Sequence, residues 1–129
     1  MIYLDTSVAL AHLLAEDYRP PDWIWNETLI ASRLLEYELW SRLHAKNLEE
    51  SHADAGHALI ARIAFLELSA TVLARALEPF PAPVRTPDAL HLASAHYLLD
   101  SGQPLQLATY DRRMVTAARA MEIPLIDLA

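Results

Sequence analysis

Apolar and polar positions change period several times along the chain, and each change marks an element. Ile2-Tyr3-Leu4 is a short unbroken apolar run, the pattern of a strand covered on both faces. It stops at Asp5-Thr6-Ser7, where Thr6 or Ser7 can cap a helix over about 8–15. Arg19-Pro20-Pro21-Asp22 breaks that helix. Residues 28–31 read as a second strand, and Ser32 can cap a helix reaching about Lys46. Residues 51–65 carry an alanine-rich helical pattern, 65–68 are ambiguous and suit a short third strand, and 71–77 are helical. The glycine-free, proline-stiffened stretch 79–87 predicts a fixed loop rather than a floppy linker. Pro87 fits the first turn of a helix running to Leu99, and Gly102 fits its stop. Residues 105–108 read as a strand, 111–121 as a helix and 124–126 as a last short strand.

Strands alternating with helices predict an α/β fold: a mainly parallel sheet of about four or five strands flanked by helices. The 129 residues suit one domain spanning 1–129, long enough to bury an ordinary core. Sheets of this kind place their sites at the carboxyl ends of the strands.

That rule directs attention to the acids. Asp5 ends the first strand, and Asp111 lies just past the strand at 105–108. Asp88 falls in the first turn of the helix after the proline loop, and Glu36 and Glu38 fall in the first turns of the helix after the second strand. In a doubly wound fold these groups can converge on one rim. Taken singly, Asp5 and Asp111 also suit helix caps, and Asp88 also suits a helix N-terminus. Helical periodicity does not choose between Glu36 and Glu38. Several carboxylates at one rim repel one another unless a divalent cation joins them. Mg²⁺ and Mn²⁺ take hard oxygen ligands and keep waters, leaving room for substrate, and such clusters serve phosphodiester hydrolysis.

Composition removes other chemistries. Without cysteine there is no disulfide framework, thiol nucleophile or cysteine zinc site. No apolar run approaches the roughly 20 residues that span a bilayer, and no basic leader precedes the first strand, so a cytoplasmic protein without membrane attachment is the expectation. A net charge of −7 opposes long-range attraction to nucleic acid, although arginines or bound cations can dominate a local site. A phosphate-binding loop, a dinucleotide glycine fingerprint, a nucleophile elbow and the HExxH pattern are all missing.

Four stretches, in order, carry a resemblance: YLDTS at the start, SRLLEYELWSRL in the second quarter, TPDALHLASA and LATYDRRMVTAA. Together they resemble the PIN-domain ribonucleases, specifically the VapC-type toxins of toxin–antitoxin pairs, over nearly the whole chain. The resemblance implies Asp5, Glu38, Asp88 and Asp111 as the acids that bind Mg²⁺ or Mn²⁺. It prefers Glu38 to Glu36 because the glutamate of the motif stands directly before a leucine, with a basic residue a turn later, as in Glu38-Leu39 and Arg42. Thr6 and Thr109 match hydroxyl positions that would orient a carboxylate or hold a metal-bound water. The resemblance further implies RNA as substrate, an antitoxin as partner and a homodimer. Two departures stand out: Glu36 adds a negative charge near the site, and MEIPL stands where a glycine often precedes the last strand.

Other residues have two readings each. Arg85, Arg112 and Arg113 flank Asp88 and Asp111 and can grip RNA phosphates, or can be ordinary surface charge. His91, three residues after Asp88, shares its helix face and can bond a site carboxylate; a structural role is favoured over a catalytic one. Trp23 and Trp25, in PPDWIWNE, suggest a surface that a partner covers. The sequence therefore predicts a metal-dependent endoribonuclease acting as a toxin. The alternatives are a housekeeping RNA-processing nuclease of the same fold and an inactive binding module.

Overall fold

A computed structural model describes residues 1–128. The elements run β1 (Ile2–Leu4), α1 (Thr6–Leu13), a 3₁₀ turn (Asp22–Asn26), β2 (Leu29–Ser32), α2 (Leu34–Ala45), α3 (Ala53–Ala61) and β3 (Ile63–Leu66). They continue with α4 (Ala70–Ala76), α5 (Thr86–Asp100), β4 (Gln106–Ala108) and α6 (Arg112–Ala120). The sheet has four strands in the order β3-β2-β1-β4, every neighbour parallel. The chain thus winds outward from β1 through β2 to β3, then returns to place β4 on the other side of β1. The order reverses between β1 and β4, and such a switch point opens a crevice at the carboxyl ends of those two strands.

Alternation along β1 divides the core. Ile2 and Leu4 face the layer built with Val8, Leu35, Leu39, Leu43 and Ile63, whereas Tyr3 faces the layer of Leu92, Leu98, Leu107 and Met114. Leu35, Leu39 and Leu43 repeat at four-residue intervals and are fully buried, which lays one face of α2 against the sheet. α2 and α3 approach closely at Gly56, where a Cβ would stand 3.0 Å from the Trp40 ring.

The structure corrects several expected boundaries. The helix expected over 51–65 ends at Ala61, and 63–66 pair with β2 instead. The alanine-rich pattern gave no stop, but pairing from Ile63 to Leu66 along β2 satisfies backbone groups that a longer helix would leave beside an open sheet edge. The last short strand reduces to one parallel bridge, Leu107 with Leu125. Asp5, rather than Thr6 or Ser7, is the N-cap of α1. The Ser32 hydroxyl does accept from the Leu34 N–H at 3.1 Å, although Arg33 holds the cap position of α2. The two tryptophans part company: Trp25 is buried in the core beside His12, while Trp23 is 48% exposed. Only Trp23 is therefore left to meet a partner.

Candidate active site

The crevice at the switch point is a cleft of about 430 Å³, and Asp5, Glu38, Asp88 and Asp111 all line it. Each reaches it for a local reason. Asp5 leaves β1 in extended conformation, its N–H bonded to the Ala108 carbonyl of β4, and caps α1 by accepting from the Ser7 N–H. Asp111 caps α6 in the same way, accepting from the Arg113 N–H at 2.9 Å. Asp88 stands in the first turn of α5 and accepts from the Arg85 N–H at 3.0 Å. The capping and site readings are thus compatible: the cap holds one oxygen and aims the carboxylate into the cleft.

Hydroxyls tie the strand ends together. Thr109 Oγ1 donates to Asp5 Oδ2 at 2.8 Å and accepts from the Asp111 N–H at 3.0 Å, so one side chain fixes two acids. The Ser7 hydroxyl donates to the same Asp5 oxygen and accepts from the Tyr110 N–H. Thr6 donates to Glu38 Oε1 at 2.7 Å, and His91 Nε2 lies 2.7 Å from that oxygen. His91 itself is almost fully buried, with Nδ1 2.9 Å from the Tyr3 hydroxyl.

Glu36 does not share the cleft. It pairs with Arg33 at 2.9 Å, and Arg33 also grips Glu67 and covers the Phe65 ring. Position separates the two glutamates that helical periodicity treated alike: Glu38 lines the cleft and Glu36 does not. Among the arginines, Arg85 lines the cleft, with Nε 4.0 Å from Asp88 and Nη2 4.0 Å from Asp111. Arg112 and Arg113 are exposed at the start of α6 and outside the lining, whereas Arg42 of α2 is within it. Ser7 and Tyr3 also carry site contacts that sequence reasoning did not assign. The spacing of Ser7 two after Asp5 was a usable signal; nothing marked Tyr3 as other than a core aromatic.

Burial and neighbouring groups shift the ionisation of Asp88 and Glu38 in opposite directions. Burial pushes the Asp88 carboxyl up, with Asp111 and Asp5 adding to the rise and the Arg85 N–H opposing it. Burial also pushes Glu38 up, but bonds from His91 and Thr6, with Arg42 nearby, outweigh it and hold Glu38 below the usual range. Among the described residues, no three carboxylates or histidines stand together at chelating distance, so the cleft is not a closed metal cage. Its donor set is hard carboxylate oxygen around open space. That fits Mg²⁺ or Mn²⁺, which one or two carboxylates hold while several waters remain bound.

Four acids at the switch point of a parallel 3-2-1-4 sheet define a class: residues 2–120 match the PIN domain, and the chain belongs to that family. It is 33% identical over 132 residues to Ribonuclease VapC35 of Mycobacterium tuberculosis, in strains CDC 1551 / Oshkosh and ATCC 25618 / H37Rv alike, covering 98% of this chain and 96% of the relative. Among solved structures it is similar to VapBC2 from Rickettsia felis bound to a DNA fragment from their promoter, at 16% identity and a TM-score of 0.70 over all of both chains. It is also similar to a toxin-antitoxin complex from Klebsiella pneumoniae, at 13% identity and a TM-score of 0.66 over 100% of this chain and 98% of that one. A third similar structure is Mycobacterium tuberculosis VapC20, a Sarcin-Ricin loop cleaving toxin, at 18% identity and a TM-score of 0.66 over 91% and 95%. At these identities the structural likenesses speak to the fold.

Proposed function

We propose that the chain is a divalent-metal-dependent endoribonuclease that acts as the toxin of a toxin–antitoxin pair. The observation that carries this reading is the convergence of Asp5, Glu38, Asp88 and Asp111 on one cleft at the β1/β4 switch point. The ribonuclease name of the 33%-identical relative supports the activity, and the toxin–antitoxin neighbours support the partnership. The four carboxylates would hold Mg²⁺ or Mn²⁺. Such an ion supplies Lewis acidity and lowers the pKa of water, which suits hydrolysis of a phosphodiester.

The chain's own residues do the rest. Thr109 and Ser7 hold Asp5, and Thr109 also fixes the backbone that presents Asp111. Thr6 and His91 hold Glu38. Arg42 and Arg85 supply cationic groups to the cleft and would take the phosphates beside the scissile one, with Arg112 and Arg113 further along the surface. An antitoxin would occupy the cleft rim and the surface around Trp23, and two copies of the chain would pair as a homodimer.

The test is cleavage of total RNA by purified protein, read by sequencing the new RNA ends. Discrete cuts in Mn²⁺ or Mg²⁺ that vanish in chelator and in Asp111→Asn are expected. Equal cleavage in chelator refutes the metal-dependent mechanism, and no cleavage under any condition supports an inactive binding module instead.

A further inference from the structure

Glu38 is held by a buried column of hydrogen bonds that begins in the backbone of the sheet. The Ser32 N–H, at the end of β2, donates to the Tyr3 hydroxyl at 3.1 Å. That hydroxyl has one hydrogen, and His91 Nδ1 lies 2.9 Å away. A carboxylate oxygen only accepts, so the contact between Nε2 and Glu38 puts the ring hydrogen on Nε2, and Nδ1 then carries the lone pair that accepts from the phenol. Nε2 faces Glu38 Oε1 at 2.7 Å, with Thr6 Oγ1 at 3.2 Å and Asp5 Oδ1 at 3.9 Å. Thr6 donates to the same Oε1, so two donors converge on one oxygen and leave the other for a cation.

Tyr3 is fully buried and absent from the cleft lining, and His91 is 2% exposed. A hydrophobic core has no need of this order of donors. Phenylalanine and leucine would fill the same volume without polar groups to satisfy. We propose that Tyr3 and His91 are positioning residues: Tyr3 selects the Nε2–H tautomer of His91, and that N–H fixes the Glu38 carboxylate in its orientation toward the cation. The inference rests on the metal-site reading above. In the opposite tautomer a lone pair on Nε2 would face the carboxylate, and Glu38 would turn away. Outer partners of metal-holding groups work in this way.

The test measures Mn²⁺ affinity on folded protein, by the electron paramagnetic resonance of free Mn²⁺ and without RNA. Tyr3→Phe keeps the ring and removes the hydroxyl, and it is expected to weaken Mn²⁺ binding about 10- to 100-fold, the loss typical of outer partners. His91→Leu should lose at least as much. His91→Gln keeps an N–H donor near the Nε2 position and should recover most of the affinity. Gln needs no tautomer, so adding Tyr3→Phe to His91→Gln should cost little more, and the two positions should be strongly non-additive. A merely structural column predicts lower melting temperatures with unchanged Mn²⁺ affinity below the melt. Unchanged affinity in Tyr3→Phe, or full additivity of the two changes, overturns the positioning role while a metal-binding parent leaves the site reading intact. A parent that binds no Mn²⁺ overturns both.

Discussion

Thr109→Val isolates the joint between the two strand ends. The change is nearly isosteric and removes one hydroxyl that donates to Asp5 at 2.8 Å and accepts from the Asp111 N–H at 3.0 Å. Thr109 is buried, so water does not readily replace either bond. A buried group left without its partner costs about 1–3 kcal/mol, and here two groups lose one: a carboxylate with Ser7 still attached and a backbone N–H with no other partner in the network. The first loss is cushioned, so the sum is placed at about 2–4 kcal/mol. With an unfolding entropy near 2.1 cal/mol/K per residue, a chain of this length loses about 4 °C per kcal/mol, or roughly 8–15 °C in all. Urea denaturation at fixed pH in chelator reads the free energy without contribution from a bound cation. Thr116→Val is the control: its exposed hydroxyl bonds only the Arg112 carbonyl of its own helix, and the change should stay within about 0.5 kcal/mol. A cost below about 0.5 kcal/mol for Thr109→Val would mean that this hydroxyl does not hold the strand ends together.

Three further outcomes follow from other parts of the chain. Glu38→Gln should reduce RNA cleavage by more than about 100-fold, beyond what outer partners cost, while Glu36→Gln should change it little; similar losses in a matched cleavage assay would break the assignment. Glu122 takes a φ of 60° where a glycine would be unstrained, so Glu122→Gly should raise stability by about 0.5–1 kcal/mol in the same denaturation assay, and a loss would contradict the strain. Burial, with Arg19 and Arg62, holds His12 below its ordinary pKa, so the unfolded chain binds the proton first as pH falls. Stability is therefore lost as pH drops below about 6.5, and His12→Gln should flatten that slope; an unchanged slope would show that His12 does not contribute to it.

Much of this was legible because the acids sit where backbone rules put them. Asp5 and Asp111 follow short stretches that read as strands, and strand ends in parallel sheets converge. Glu38 was harder, since a helix wheel treats it and Glu36 alike; what separates them is Arg33, a partner that periodicity cannot see. β3 was misplaced by two residues because its alanine-flanked sequence is equally good helix, and only the β2 edge decides. Tyr3 was hidden for a deeper reason. Its role depends on residues 29 and 88 positions away that meet only in the folded chain. The left-handed Glu122, by contrast, lies at the place where a glycine was missing from the resembled pattern.

The most direct test of a shared cation site is the shift in melting temperature that Mn²⁺ produces in the parent and in Asp5→Asn. Asparagine keeps the size of Asp5 and an oxygen for Thr109 and Ser7, while removing one of the four carboxylates in the cleft. In chelator, weaker hydrogen bonds and relieved repulsion oppose each other, so the two proteins should differ by no more than about 1 kcal/mol. At a hundredfold excess of Mn²⁺ over its dissociation constant, the parent should gain about 2.7 kcal/mol, close to 10 °C, by binding to the folded state alone. The variant should gain less than half of that. Equal shifts in both proteins, or no shift in the parent, would mean that Asp5 does not hold metal and that the four carboxylates do not form one site.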